Sequence, residues 1–213
     1  MANYKKVDAD QLDADLKSVA DSIRSRAETE DALVFPDGFV SAVEGIPDLL
    51  TERLLGTITE YRNETIEQLG ATAFGSCTAL VSLHIPAVKR IETYCFQNCF
   101  GLTNVTLESC TYLNSGAFIG CSNLVKVDCH AVQEIRGNVF NGDSKLTAVI
   151  IRTTTGVCTL AATSSFGGTP IESGTGYIYF YRSEVDKHKS ATNWSVYASQ
   201  IRAIEDYPEI TGG

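Results

Sequence analysis

Phe74, Phe96, Phe118 and Phe140 follow one another at intervals of 22 residues. Three more columns keep the same phase: Leu80, Leu102, Leu124 and Leu146; Leu83, Val105, Val127 and Val149; and Leu69, Ile91, Leu113 and Ile135. A unit this short cannot bury its own apolar edge, but stacked copies can, so a chain built this way folds as a solenoid.

One unit, read from Ile91 to Leu107, is Ile-x-x-x-x-Phe-x-x-Cys-x-x-Leu-x-x-Val-x-Leu. Its end, Leu102 to Leu107, alternates apolar and polar residues and predicts a short strand. The segment around each Phe, such as Glu92 to Cys99, predicts a turn or short helical connector. Stacking then lines the strands into a parallel sheet and the phenylalanines into a continuous core. With strands about 4.8 Å apart, some five coils give a core roughly 20–25 Å long. Thr163 to Ile171 resembles a fifth unit whose Phe166 comes 26 residues after Phe140, and Tyr177–Tyr181 is its expected strand. The stretch Ser183–Ile201 has helical apolar spacing and predicts a cap over the last coil.

These units resemble the BspA-like, type-5 class of leucine-rich repeats, over roughly residues 57 to 206. The Asn ladder of other leucine-rich repeats is missing, which fits that class. The resemblance implies an α/β solenoid with a parallel β-sheet and a binding or structural role, not an enzyme. The expected division is an N-terminal helical segment at 1–56, the solenoid at 57–182, and a C-terminal helical cap and tail at 183–213.

Residues 1–56 do not share the repeat. Leu12, Leu16, Val19 and Ile23, with Ala9 before them, form a heptad-like stripe on an amphipathic helix, and Asp8 with Gln11 makes a capping-box-like start. This helix predicts either an N-terminal cap or a stalk that holds a homo-oligomer. A loop through Phe35-Pro-Asp-Gly-Phe39 then enters a short helix, and Pro47 starts another that stops at Gly56. Leu12…Ser18-Val-Ala-Asp-Ser-Ile-Arg24 with Phe35-Pro-x-Gly-Phe-Val-x-Ala-Val resembles the N-terminal region of tail-associated phage and prophage proteins. That resemblance implies attachment by residues 1–56 and display by the solenoid.

The net charge of −9 argues against a nucleic-acid partner, which needs clustered Lys and Arg. The N-terminus has no apolar h-region, so no cleaved secretory signal is expected, and the short apolar runs predict no membrane insertion. Cys77, Cys99 and Cys121 share one repeat position and are expected to stack inside the coil as small hydrophobes. In the fourth unit Asp143 takes that place. Cys95 and Cys99 lack the further ligands a metal site needs, so no metal and no cofactor are expected. His84, His130 and His188 are scattered, and surface solvation is their expected state. No nucleophile–base arrangement or in-phase carboxylate pair emerges, which argues against catalysis.

The outward face of the strand column is the best candidate binding site. One row presents Ser82, Asn104, Lys126 and Ala148, and the next presents His84, Thr106, Asp128 and Ile150. Their polar, mixed character suits a glycan or protein partner, with Tyr94 and Tyr112 on the connector side as alternative anchors. Three roles remain open. The chain is a tail-associated virion protein that meets a host cell-surface glycan or protein, assembled in the cytoplasm and released by lysis. Alternatively it is a cell-surface adhesion or scaffold protein, or a head-decoration or baseplate subunit that binds other virion proteins.

Overall fold

The computed structural model describes residues 58–211. The stripe Leu12, Leu16, Val19 and Ile23, and the rest of residues 1–56, lie outside the described residues.

Each coil carries two strands. The longer ones are β3 (Ser82–His84), β5 (Asn104–Leu107), β7 (Lys126–Cys129), β9 (Ala148–Ile151) and β11 (Tyr177–Phe180), preceded by β1 (Glu60–Arg62). β5, β7, β9 and β11 pair in parallel, and β12 (Ile201–Ala203) closes this wide sheet beside β11. β1 and β3 pair in parallel at the other end, with β3 against β5. The register repeats the sequence period: Asn104 pairs with Lys126, Lys126 with Ala148, and Ala148 with Tyr177.

A second, narrow parallel sheet was not predicted. It consists of two-residue strands, β2 (Gln68–Leu69), β4 (Arg90–Ile91), β6 (Tyr112–Leu113), β8 (Glu134–Ile135) and β10 (Thr159–Leu160). Two residues are too few for an alternation to be read, although the column Leu69, Ile91, Leu113, Ile135 marks its buried positions. A third ladder joins the turns. The Phe74 amide donates to the Cys95 carbonyl at 2.7 Å, Phe96 to Ala117 at 2.8 Å, Phe118 to Val139 at 3.0 Å and Phe140 to Ser165 at 2.9 Å. Backbone groups on every side of a coil are thus paired with the next coil, which a buried backbone requires.

The turns use two left-handed positions per coil. Thr72, Tyr94, Gly116 and Asn138 form one column, and Ser76, Asn98, Gly120, Gly142 and Gly168 form the other. Beneath them the phenylalanines stack, with ring centroids 5.2, 5.1, 5.9 and 5.8 Å apart from Phe74 to Phe166. Tyr61 meets one end of this spine at 4.6 Å, and Trp194 and Tyr197 meet the other at 6.2 and 5.2 Å.

All seven cysteines are buried thiols. The Cys99 thiol donates to the Phe74 carbonyl at 3.0 Å and the Cys121 thiol to the Phe96 carbonyl at 3.1 Å. Burial pushes the Cys99, Cys110 and Cys158 thiols up to about 12, so they stay protonated.

After Phe166 the chain forms a short helix, α1 (Pro170–Ser173), with Thr169 as N-cap and left-handed Gly174 as its stop. Helix α2 (Arg182–Ser190) follows β11, then a 3-10 turn at Trp194–Tyr197. The helical spacing expected through Ile201 breaks at Asn193, whose φ is +63°. Ile201–Ala203 instead becomes β12, so the segment assigned to a helical cap contributes a strand to the wide sheet. His188 also departs from expectation: it is fully buried, not solvated. Its Nε2 accepts the Cys158 amide at 3.0 Å, which puts its proton on Nδ1, 2.9 Å from the Glu184 carbonyl. Burial lowers the pKa of His188, which keeps the ring neutral.

Candidate functional site

The two outward rows exist in the predicted register. β1 extends them, because Glu60 pairs with Ser82 and Arg62 with His84. This coil lies within the solenoid expected from residue 57, but Glu60 and Arg62 were not among the expected row residues.

The expected continuous open face is corrected by the tail. Ser82, Asn104 and Thr106 are exposed and His84 is half-buried, with Glu60 and Arg62 exposed beside them. Further along, Ala148, Ile150 and Tyr179 are buried together with Ile204, and Tyr177, Tyr207 and Ile210 pack against them. Residues 204–210 therefore cover the C-terminal half of the sheet face. The signal was present as Ile204, Tyr207 and Ile210, apolar residues three apart on 3-10 turns.

Lys126 and Asp128 sit at the border and face their own chain. The Lys126 ammonium donates to the Ile210 carbonyl at 3.4 Å. Asp128 is buried and accepts two 2.8 Å hydrogen bonds from the Arg152 guanidinium, a fork that fixes both groups. His130 Nε2 approaches the same carboxylate at 3.5 Å. Neither Lys126 nor Asp128 is available to a partner in this arrangement, because the tail and Arg152 already satisfy them.

The open half carries small surface ion pairs. His84 Nε2 lies 3.1 Å from Glu64, and Arg62 lies 3.3 Å from Glu60 and 3.9 Å from Glu64. Such pairs are worth at most about 1 kcal/mol each, so a partner that offers better geometry displaces them easily.

The narrow sheet presents a different surface. Lys89 pairs with Glu67 at 2.6 Å, Arg90 with Glu92 at 3.3 Å and Arg136 with Glu134 at 2.7 Å. Tyr112 is held here, with the Arg90 guanidinium 4.6 Å from its ring centre. Tyr94 lies on the turn side and is exposed. The two tyrosines therefore belong to different surfaces and make no common anchor with the wide sheet face.

Six copies of the repeat described as the BspA type leucine rich repeat region match residues 58–166, just over half of the chain. The chain belongs to this family. Among solved structures, the BspA-type chain is similar to a leucine-rich repeat protein from Bacteroides ovatus, at 19% identity and a TM-score of 0.36. That similarity covers 60% of this chain and 40% of the other. No curated protein matches the sequence. The family match begins at Ile58, so it leaves the resemblance of residues 1–56 to tail-associated phage proteins without support.

Proposed function

We propose that this leucine-rich-repeat protein is a non-enzymatic recognition module that presents the open half of its wide sheet to a protein surface. The observation that carries the reading is the division of that face. The chain seals Ala148, Ile150 and Tyr179 under its own tail but leaves Glu60, Arg62, Ser82, His84, Asn104 and Thr106 toward solvent. A flat row of mixed polar and charged side chains suits the rim and the hydrogen bonds of a protein interface. The non-enzymatic reading is supported by the histidines. His84 and His130 sit against the carboxylates of Glu64 and Asp128, and His188 is locked in the core. The C-terminal segment, with Trp194 and Tyr197 against Phe166, serves as the cap that closes the last coil.

The carrier in this reading is a phage or prophage virion, with the solenoid tail-associated and turned toward the host surface. Leu12, Leu16, Val19 and Ile23 hold the homo-oligomer. This part is supported by the sequence pattern of residues 1–56 alone. The direct test is to induce the source strain, purify phage-like particles on a density gradient and search them for this chain by mass spectrometry. The expected result is a fixed stoichiometry to the tail proteins. A ratio matching the capsid proteins points to head decoration, and presence on cells with absence from particles replaces the virion reading with adhesion. The sheet face is tested separately with Asn104→Glu and Thr106→Arg, expected to weaken attachment to host cells about 10-fold or more without changing the fold. Unchanged attachment by both variants removes the wide sheet from the binding reading.

A further inference from the structure

The repeat loses its period once, between Phe140 and Phe166, where the interval is 26 residues instead of 22. The structure shows where the added residues go. The loops from β5 to β6 and from β7 to β8 are residues 108–111 and 130–133, whereas the loop from β9 to β10 is residues 152–158. Three of the four added residues lie in that one loop. The fourth lies between Leu160 and Phe166, which are one residue further apart than Ile135 and Phe140. In repeat proteins an insertion in a single unit maps to a loop on one face, often the face that binds.

This loop is anchored at both ends. Arg152 is forked onto Asp128, and Cys158 is gripped on both sides: its amide donates to His188 Nε2 at 3.0 Å and its carbonyl accepts from Trp194 Nε1 at 2.6 Å. Inside it, buried Thr153 bonds to Thr155 at 3.2 Å, and Gly156 at φ +133° turns the chain back toward the narrow sheet. Between loop and sheet lies a cavity of about 370 Å³, walled by Tyr112, Gln133, Glu134, Thr153, Thr155 and Thr159.

The walls are largely polar, and several polar groups have no use inside the fold. Among the described residues, the Tyr112 hydroxyl, the Gln133 amide and the Thr159 hydroxyl make no hydrogen bond to another protein group. Glu134 spends one carboxylate oxygen on Arg136 at 2.7 Å and keeps the other. Tyr112 cannot swing freely, because Arg90 packs on its ring at 4.6 Å and Arg136 approaches at 5.8 Å.

These groups narrow the ligand. No Lys, Arg or His lines the cavity, so its wall offers phosphates, sulfates and acidic sugars no cationic partner. Among the described residues no group of His, Cys, Asp and Glu is arranged to hold a metal ion. Hydroxyls, an amide and a carboxylate around an aromatic ring offer donors and acceptors in alternation, which an apolar ligand cannot satisfy. A neutral polyhydroxylated ring satisfies them, with the Tyr112 hydroxyl as one of its hydrogen-bond partners. The volume is at the small end of small-molecule sites.

We infer that the cavity between the 152–158 loop and the narrow sheet is a binding site for a neutral saccharide of one or two sugar units. It is independent of the wide sheet face and of any protein partner there. With few contacts and an open mouth, the dissociation constant is about 1 mM.

The test uses the full chain and saturation-transfer difference NMR. The probes are glucose, galactose, mannose, N-acetylglucosamine and N-acetylgalactosamine, each at about 10 mM to cover weak binding, with N-acetylneuraminic acid as the acidic control. At least one neutral sugar is expected to show transfer, and the acidic sugar none. Tyr112→Ala is expected to weaken the bound sugar about 10-fold. Because Tyr112 is half-buried, Thr159→Arg serves as a second variant. It fills the cavity from an exposed position and abolishes binding while thermal stability is kept. Asn104→Glu, on the wide sheet, leaves sugar binding unchanged. Silence from every neutral sugar overturns the inference, as does transfer that survives Thr159→Arg or that favours the acidic sugar.

Discussion

Asp143 takes the place of Cys99 and Cys121 one coil further on, and both of its carboxylate oxygens are sealed from solvent without a hydrogen-bond partner. Burial pushes its pKa from an ordinary 3.8 to about 9, with the nearby amides of Cys121 and Gly120 offsetting only part of the effect. The carboxyl is therefore protonated near neutral pH, in the column where the Cys99 and Cys121 thiols donate to carbonyls. The sign follows from proton binding. Below about pH 4 both folded and unfolded chains hold this proton. Between about pH 4 and pH 9 only the folded chain does, so stability falls as pH rises through that window. Asp143→Cys removes the penalty. The variant is expected to match the parent near pH 4 and to exceed it by about 2–4 kcal/mol at pH 7, measured by urea denaturation. Parallel stability curves across pH would show that Asp143 is not a buried acid. Gly116 is a second single-residue constraint. Its φ is +65°, and an added Cβ would sit 2.4 Å from the Tyr94 ring. Gly116→Ala is expected to lower stability by about 1–3 kcal/mol, read from the same denaturation curves.

At the scale of elements, what was legible depended on how many residues carried the signal. The wide strands were legible because Val105, Val127 and Val149 repeat inside an alternation. The thiols of Cys77, Cys99 and Cys121 were legible as core because they share one repeat position. The narrow sheet was not, since each strand has two residues, and β12 was hidden because Trp194, Tyr197 and Ile201 keep a helical interval whether or not a helix forms. The buried role of His188 was also illegible: it depends on Cys158, thirty residues away. Trp194 binds these pieces together. It touches Phe166, Phe180 and His188 and donates to the Cys158 carbonyl. Trp194→Phe keeps most of the packing but orphans that carbonyl and is expected to cost about 1–3 kcal/mol. Trp194→Ala also opens a cavity and is expected to cost about 3–5 kcal/mol. Circular dichroism during chemical unfolding measures both, since the single Trp is lost as a fluorophore. Equal losses in the two variants would mean that the hydrogen bond contributes nothing separable from the ring.

At the scale of the whole solenoid, each coil is stabilised by its neighbours, so the ends and the covered face decide what the molecule exposes. The main core runs from Ile58 through Ile201 without using the tail, while Ala148, Ile150, Tyr179 and Ile204 form a separate cluster on the outer face. Removing residues 204–213 takes away Ile204, Tyr207 and Ile210 and uncovers Ile150 and Tyr179, but it leaves every strand and the phenylalanine spine in place. Each large apolar side chain returned to water costs about 1.5–3 kcal/mol. The shortened chain is therefore expected to stay folded, with a lower melting temperature and new binding of a hydrophobic dye. The uncovered strip would continue the rows that begin at Glu60 and Arg62, turning a half-open polar face into a longer one with an apolar end. Contiguous apolar surface of that kind drives association, so sedimentation of the shortened chain is expected to show concentration-dependent self-association beyond that of the full chain. Unchanged melting temperature and dye binding would mean that the tail does not rest on the sheet in solution, and Lys126 would then rejoin Ser82 and Asn104 as an open position.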